Sequence, residues 1–414
     1  MNARLVNIGQ LVVVPPGPVA GGDMQMVPTI AGAELHIADG RIAAFGPAGT
    51  LGDAPADCET IDAEGGLLTP GLVDCHTHTV LAGTRENEFV QRIQGKSYAQ
   101  IAAEGGGIKA TVKAVRQASK ERLVELALPR LKRMLAGGVT TAEIKSGYGL
   151  TLADERKMLE AVAELRTLQP VELVGTYLAA HVVPTEWLNN RQGYLEEMYA
   201  DEVLADLRKS RLAAFGDVFC EGGSYTPEES RFVAEACLRN GLGFKIHSEQ
   251  LSNSGGTRIA AEMGAVSADH LEYVDDYAIE ALQAAGTIPV VLPGCSLFLD
   301  SEPAPARLLI DDGLPVALAT DLNPGSSMIE SLQLIMSYAC VRLRMTPTEA
   351  LVAATANASA ALSRQDRVGG IAEGMQADLV VLDAPSVDAW LCQLGRNCVR
   401  KVLKRGRTVV QRAE

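Results

Sequence analysis

Val73-Asp74-Cys75-His76-Thr77-His78 sets two histidines one residue apart at the end of a short apolar run. A strand repeats its side-chain direction every two residues, so in an extended chain His76 and His78 point the same way and can converge on one ion. The chain holds six histidines, at positions 36, 76, 78, 181, 247 and 270, and all but His36 sit at the ends of short apolar runs.

Working outward from this stretch, eight segments read as strands: Leu72-His78, Val139-Ser146, Val171-His181, Asp217-Gly223, Phe244-Gln250, Ser267-Tyr273, Ile288-Gly294 and Pro315-Asp321. Helical patterns lie between them, such as Ala153-Leu168, with Leu159, Val162, Ala163 and Leu165 at helical spacing. Thr226-Pro227-Glu228-Glu229 starts a helix with a Thr cap, Pro at the first position and Glu three residues after the cap; Thr346-Pro347-Thr348-Glu349 repeats the device before Ala350-Leu362. Eightfold strand–helix alternation with near-continuous apolar strands predicts an α/β fold, a closed (β/α)8 TIM-type barrel, over the alternative of an open doubly wound sheet. Short β-like pieces precede the barrel at Leu11-Val14, Ala33-Ile37 and Arg41-Phe45 and return in Ala377-Asp383 and Val399-Gly406. The expected division is 1–68 and 367–414 as the two parts of one small β-rich domain built from both termini, around a barrel over 69–366.

The 414 residues carry a net charge of −14, with 47% apolar and 21% charged residues, a globular balance that rewards neither nucleic acid nor an anionic membrane as partner. Eight cysteines include no Cys-x-x-Cys pair, and several fall in apolar runs, so they read as reduced thiols of a cytoplasmic protein. Met1 to Val14 lacks the features of a signal peptide, and no apolar run approaches the length of a bilayer span.

A barrel of this class carries its chemistry at the C-terminal strand ends. His76 and His78 end the first strand candidate, His181 the third and Asp321 the eighth; His247 falls late in the fifth and His270 in the sixth. His76, His78, His247 and Asp321 together supply nitrogen and carboxylate donors that suit zinc or iron and leave room for water. Metal-bound water drops in pKa from about 15.7 to about 7 in favourable zinc sites. Asp321 could take the proton and return it to a leaving nitrogen, and His270 could hold or deprotonate the nucleophile. Arg85, just after the metal pair, could grip a substrate carboxylate bidentately or form a surface salt bridge. Tyr148, in the glycine-flanked turn Lys145-Ser146-Gly147-Tyr148-Gly149, fits either a pocket or loop packing, and Asp321-Leu322-Asn323-Pro324-Gly325 fits an acid on a tight turn. Gly105-Gly106-Gly107 is loop material that follows no strand and is too weak a signal for a phosphate cradle.

These residues resemble the amidohydrolase superfamily of metal-dependent hydrolases. Thr84-Arg85-Glu86-Asn87-Glu88-Phe89, Glu104-Gly105-Gly106-Gly107-Ile108, Glu143-Ile144-Lys145-Ser146-Gly147-Tyr148-Gly149-Leu150, His247-Ser248-Glu249-Gln250-Leu251-Ser252-Asn253, Ser267-Ala268-Asp269-His270-Leu271-Glu272 and Ala319-Thr320-Asp321-Leu322-Asn323-Pro324-Gly325 are similar to its imidazolonepropionase family. The resemblance implies hydrolysis of the ring amide of 4-imidazolone-5-propanoate to N-formimino-L-glutamate in histidine degradation, at one zinc or ferric ion per chain. It implies His76, His78, His247 and Asp321 as ligands, and Arg85, Tyr98, Tyr148, His181 and Asn323 as substrate contacts, with His270 assisting the hydroxide. It also implies a small-molecule substrate with a carboxylate and a homodimer.

Two-metal members of the superfamily use a lysine on strand four, whereas Asp217-Val218-Phe219-Cys220-Glu221-Gly222-Gly223 has none, so a single ion is expected, with Glu221 and Lys145 as the residues that could overturn it. Some relatives carry Glu at the third residue after the fifth-strand histidine; here it is Gln250, which can orient substrate or water but cannot act as a base, and Glu249 points to the other face. Leu292-Pro293-Gly294-Cys295-Ser296-Leu297-Phe298-Leu299 lacks an aromatic pair, and Met328 stands where Pro is frequent. These departures keep open a hydrolase or deaminase of another cyclic amide or amidine. A non-catalytic metal-stabilised scaffold is the reading from a different class.

Overall fold

The computed structural model describes residues 1–54, 57–96, 100–101 and 104–412. All eight predicted strands form and pair in sequence order in one parallel sheet: β1 (Leu72–Asp74), β2 (Val139–Lys145), β3 (Glu172–Ala180), β4 (Phe215–Cys220), β5 (Gly243–Ser248), β6 (Ser267–His270), β7 (Ile288–Val291) and β8 (Ala317–Leu318). The sheet closes where its shortest strands meet. The amide of His78 donates to the Leu322 carbonyl at 2.9 Å, the Asp321 amide donates to the His76 carbonyl at 3.1 Å, and Thr77 bridges Leu322 in parallel. Asp74 ties the same seam, accepting from the Thr320 amide at 3.0 Å and its hydroxyl at 2.7 Å. The open-sheet alternative is therefore excluded by the (β/α)8 closure.

Strand β1 ends at Asp74, two residues before the first histidine, so His76 and His78 lie on an extended continuation and not in the strand proper. Their common direction survives because Thr77 between them is held in the seam and also accepts the Lys145 amide at 2.9 Å.

The helices form where the sequence places them. Leu152–Leu168 is capped by the Thr151 hydroxyl, and Thr226 and Thr346 both make complete capping boxes. The helix expected over Ala350-Leu362 is broken: it runs Pro347–Val352, widens into a π turn at Ala353–Asn357 and resumes at Ala358–Ala360. Asn357 explains the change of course, since its amide accepts from the Val19 amide at 2.7 Å and donates to the Val19 and Val316 carbonyls at 2.9 Å, pinning this turn beneath β8.

Both termini build the second sheet. Leu379–Leu382 pairs antiparallel with Leu67–Pro70, which runs beside the N-terminal strand Ala3–Val12, and Val399–Lys404 and Arg407–Gln411 extend the C-terminal edge. Its apolar face, with Leu5, Ile8, Leu35, Leu68, Leu379 and Leu403, is a core separate from that of the barrel. Among the described residues no helix is long and apolar enough to cross a membrane.

Candidate metal centre and cavity

Inside the barrel, alternate residues of each strand face inward and stack in layers. The lower layer is ionic. Lys145 from β2 lies 2.7 Å from Asp217 of β4, 3.1 Å from Glu143 and 3.4 Å from Asp269 of β6, and Lys245 of β5 lies 2.7 Å from Glu143, all with fully buried side chains. The upper layer is histidine. His76 Nδ1 is 2.6 Å from Asp269 and His247 Nδ1 is 3.1 Å from Asp217. A carboxylate only accepts, so each Nδ1 carries the proton and each Nε2 keeps its lone pair.

Those two Nε2 atoms are buried without a hydrogen-bond partner, which normally costs stability and marks a group built for another ligand. The ligating atoms of His76, His78 and His247 lie within 4.8 Å of one another, and so do those of His76, His270 and Asp321. Asp321 Oδ1 is 3.5 Å from His76 Nε2 and 3.8 Å from His78 Nε2, too far for hydrogen bonds. Tetrahedral donors at bonds of about 2.0–2.2 Å stand roughly 3.3–3.6 Å apart. Burial, reinforced by the Lys145 charge at His76 and His247 and by neighbouring histidines, holds all three imidazoles well below their ordinary pKa, so they are neutral, the form that binds a cation. Burial pushes Asp321 up to about 6. The donors fit a metal ion.

Three strand ends carry left-handed backbone at non-glycine residues: Glu249 (φ 52°), His270 with Leu271 (89° and 71°) and Asp321 (53°). Each such residue costs about 1–3 kcal/mol and persists where its surroundings overdetermine it. At His270 burial opposes the charge, but Glu272, 3.6 Å from Nδ1, together with Cys295 and Asp321, outweighs it and raises the pKa well above the ordinary value.

A cavity of about 1050 Å³ opens over this centre, and Arg85, Tyr148, His181, Gln250, His270 and Asn323 all line it. His181 stacks on His78 with ring centroids 5.2 Å apart, and the Tyr148 ring lies 5.3 Å from His181. His181 Nδ1 donates to the Gly147 carbonyl at 3.0 Å, and burial pushes its pKa down to about 4, leaving Nε2 as an acceptor. The edge of Arg85 that would grip a carboxylate bidentately is taken by Glu88, which accepts from Nε at 2.9 Å and from Nη2 at 2.6 Å. Nη1 packs against Gly325, where a Cβ would stand 2.4 Å from it, so only glycine leaves the guanidinium its place. Asn323 holds its own turn: Oδ1 accepts from the Gly325 and Ser326 amides at 2.8 Å, and Nδ2 donates to the Asp321 carbonyl at 2.8 Å. Tyr98 lies outside the described residues.

The two residues that could have altered the metal count stand elsewhere. Lys145 belongs to the ionic layer, and Glu221 accepts from the Gly222 and Leu251 amides. Glu249 is occupied as well. It accepts from the Thr257 amide at 3.0 Å and from the Thr257 hydroxyl, which fixes the start of the helix Gly256–Met263. Gln250 donates to Cys295 Sγ at 3.3 Å. Cys295 sits in the helix Pro293–Leu299 that follows β7, and Met328 is exposed.

Sequence reasoning missed Asp217 and Asp269 as partners of the histidines, and Glu155. Carboxylates inside otherwise apolar strands were the available signal for the first two, since a buried acid must be paired. Glu155 is fully buried and accepts from the amides of Gly147 at 2.8 Å, Gly149 at 2.7 Å and Leu150 at 2.8 Å, clamping the loop that carries Tyr148.

A closed parallel barrel with two histidines after its first strand, one on the fifth, one on the sixth and an aspartate after the eighth is the architecture of the amidohydrolase family, to which the chain belongs: that family's model matches residues 67–409. Within the family its relatives include imidazolonepropionases. It is 45% identical to the imidazolonepropionase of Geobacillus kaustophilus (strain HTA426) over 397 residues, covering 95% of this chain and 93% of the relative. It is also 45% identical to that of Bacillus velezensis (strain DSM 23117 / BGSC 10A6 / LMG 26770 / FZB42) over 414 residues, 100% and 98% of the two chains. Among solved structures, a triazine hydrolase variant superposes with a TM-score of 0.75 at 18% identity, covering 99% of this chain and 95% of the other. An adenosine deaminase from Xanthomonas campestris with bound zinc superposes with a TM-score of 0.73 at 18% identity, over 99% and 93%. At these identities the structural likeness establishes the fold alone.

Proposed function

We propose that the chain hydrolyses the ring amide C–N bond of 4-imidazolone-5-propanoate, adding one water to yield N-formimino-L-glutamate. The observation that carries this reading is the pair of buried, unpartnered Nε2 atoms on His76 and His247, converging with His78 and Asp321 at the floor of a cavity that also holds Arg85. The kinship with imidazolonepropionases over nearly the whole chain supports the substrate.

His76, His78, His247 and Asp321 would hold one zinc or ferric ion, which supplies Lewis-acid polarisation of a carbonyl and eases the deprotonation of water. Asp269 and Asp217 orient His76 and His247 from behind. Asp321 takes the proton of the attacking water and returns it to the departing ring nitrogen. His270, paired with Glu272, donates to the developing oxyanion in its charged form. Gln250 orients the substrate through its amide. Arg85 Nη1 faces the propanoate carboxylate, while Tyr148 and the neutral His181 bracket the ring, and Asn323 shapes the wall by holding its turn. The family resemblance adds Tyr98, outside the described residues, to the proposed substrate contacts. The free thiols support a reducing, cytoplasmic setting. The homodimer that the family resemblance implies is proposed as the working unit.

The test is ultraviolet turnover of the imidazolone by the full chain loaded with zinc or iron. Asp321→Asn should lower kcat about 10²–10⁴-fold with the fold retained. Absence of turnover at full metal occupancy would overturn the reading.

A further inference from the structure

We propose that His270, Glu272 and Cys295 form a second metal site, which takes a borderline-soft divalent ion such as zinc and inhibits hydrolysis when filled. Their ligating atoms lie within 4.8 Å of one another. None of the three belongs to the His76–His78–His247–Asp321 donor set.

Independent features of the same residues point to a ligand. His270 Nδ1 and Glu272 Oε2 are both buried without a hydrogen-bond partner, on side chains 3% and 4% exposed. Nδ1 stands 3.6 Å from Glu272 Oε1, too far for a hydrogen bond and suited to two donors sharing one ion. The left-handed turn at His270 and Leu271 folds the carboxylate back toward the ring of its own strand. Across the gap, the Cys295 thiol is buried, with the Gln250 amide 3.3 Å from Sγ. All three residues and Gln250 line the cavity, so an ion can enter from solvent and keep a coordination position open toward it.

The donor set selects the ion. A thiolate, an imidazole and a carboxylate form a mixed S, N, O set that suits zinc and excludes magnesium and calcium, which take oxygen donors. The inhibitory consequence rests on the function proposed above: an ion on His270 Nδ1 takes the place of the Nδ1 proton and fixes the ring assigned to the oxyanion toward Glu272 and Cys295, away from the position it needs for the reaction.

The experiment titrates metal-free full-length chain with cobalt(II) and follows its absorption. The first equivalent, held by histidine and aspartate, should give d–d bands alone; the second should add a near-ultraviolet thiolate-to-cobalt charge-transfer band. Cys295→Ser should lose that band and keep the first equivalent. Glu272→Gln, which retains the thiol, should weaken the second equivalent and serves if the serine variant does not fold. A native chain with no charge-transfer band at two equivalents, or a band that persists in Cys295→Ser, overturns the site. In the zinc enzyme, turnover should fall as the second equivalent is added to the native chain but not to Cys295→Ser; equal inhibition of both overturns the inhibitory role. A chain that turns over no imidazolone at any loading refutes the function, while the cobalt spectrum still decides the site.

Discussion

Replacing Lys145 by methionine removes one cation from a buried cluster whose charges can be counted. Glu143, Asp217 and Asp269 supply three carboxylates and Lys145 and Lys245 two ammonium groups, so the cluster carries one net negative charge, which the substitution doubles. The pairs lost stand at 2.7, 3.1 and 3.4 Å, and among the described residues Asp217 is left with no lysine or arginine within 4.0 Å. Removing one partner of a buried ion pair costs about 3–5 kcal/mol, because the other charge stays desolvated and unpaired. In a chain of this length that lowers Tm on the order of 5 °C, since the shift per kcal/mol shrinks with size. The melt is run on metal-free protein, where no ion contributes. A second readout is metal affinity by chelator competition: Asp217 and Asp269 lose the cation that holds them against His247 and His76, and such outer contacts are worth about 10–100-fold in affinity. The double variant Lys145→Met, Asp217→Asn should recover part of the stability by removing the unpaired charge. Unchanged melting together with unchanged metal affinity in Lys145→Met would refute the assignment of the ionic layer as the support of the histidines.

Glu155→Gln leaves at least one of three clamped amides without an acceptor and should cost about 1–3 kcal/mol. Because the loop carries Tyr148 and anchors His181 through Gly147, KM should rise more than kcat falls; an equal fall in kcat would count against a positioning role. Glu249→Ala removes a helix-start contact and should lower stability by about 1–2 kcal/mol while kcat drops less than tenfold. A loss of about 10²–10⁴-fold would instead make Glu249 the general base. Metal retention should fall with pH through Asp321, the proposed ligand that takes up a proton near pH 6, whereas the three histidines stay neutral well below their ordinary range. Chelator competition between pH 7.5 and 5 should show about one proton bound per ion released, close to tenfold per pH unit below pH 6; two or more protons would mean that the histidines titrate there too.

The barrel was legible because each strand is an apolar run and the caps at Thr226 and Thr346 are local signals, readable within four residues. The candidate donors were legible because they sit at the same end of the first, fifth and eighth strands. Their supports were not. Asp269 reaches His76 across 193 residues of chain, and Lys145 reaches Asp217 across 72, so no local window contains both partners. Arg85 and Asn323 show the same limit. Their residue types and positions suit substrate contact, but only the folded geometry reveals that Glu88 takes the Nε and one Nη2 donor of Arg85 and that the turn at Gly325 engages the Asn323 amide.

The same seam that closes the barrel explains why the opening stretch carries its histidines beyond the strand. With β1 three residues long and β8 two, ladder bonds alone hold the first and last strands weakly, and the closure depends on the exchange between His76, His78, Asp321 and Leu322. The backbone bonds at the seam place His76 and His78 on one side and Asp321, in left-handed conformation, on the other. The proposed ligands therefore come from both sides of the closure. Asp74 and Thr320, which flank them, are 246 residues apart in the chain. Metal binding at this point would join the first strand to the last and reinforce the barrel at its closure, where the end strands are short.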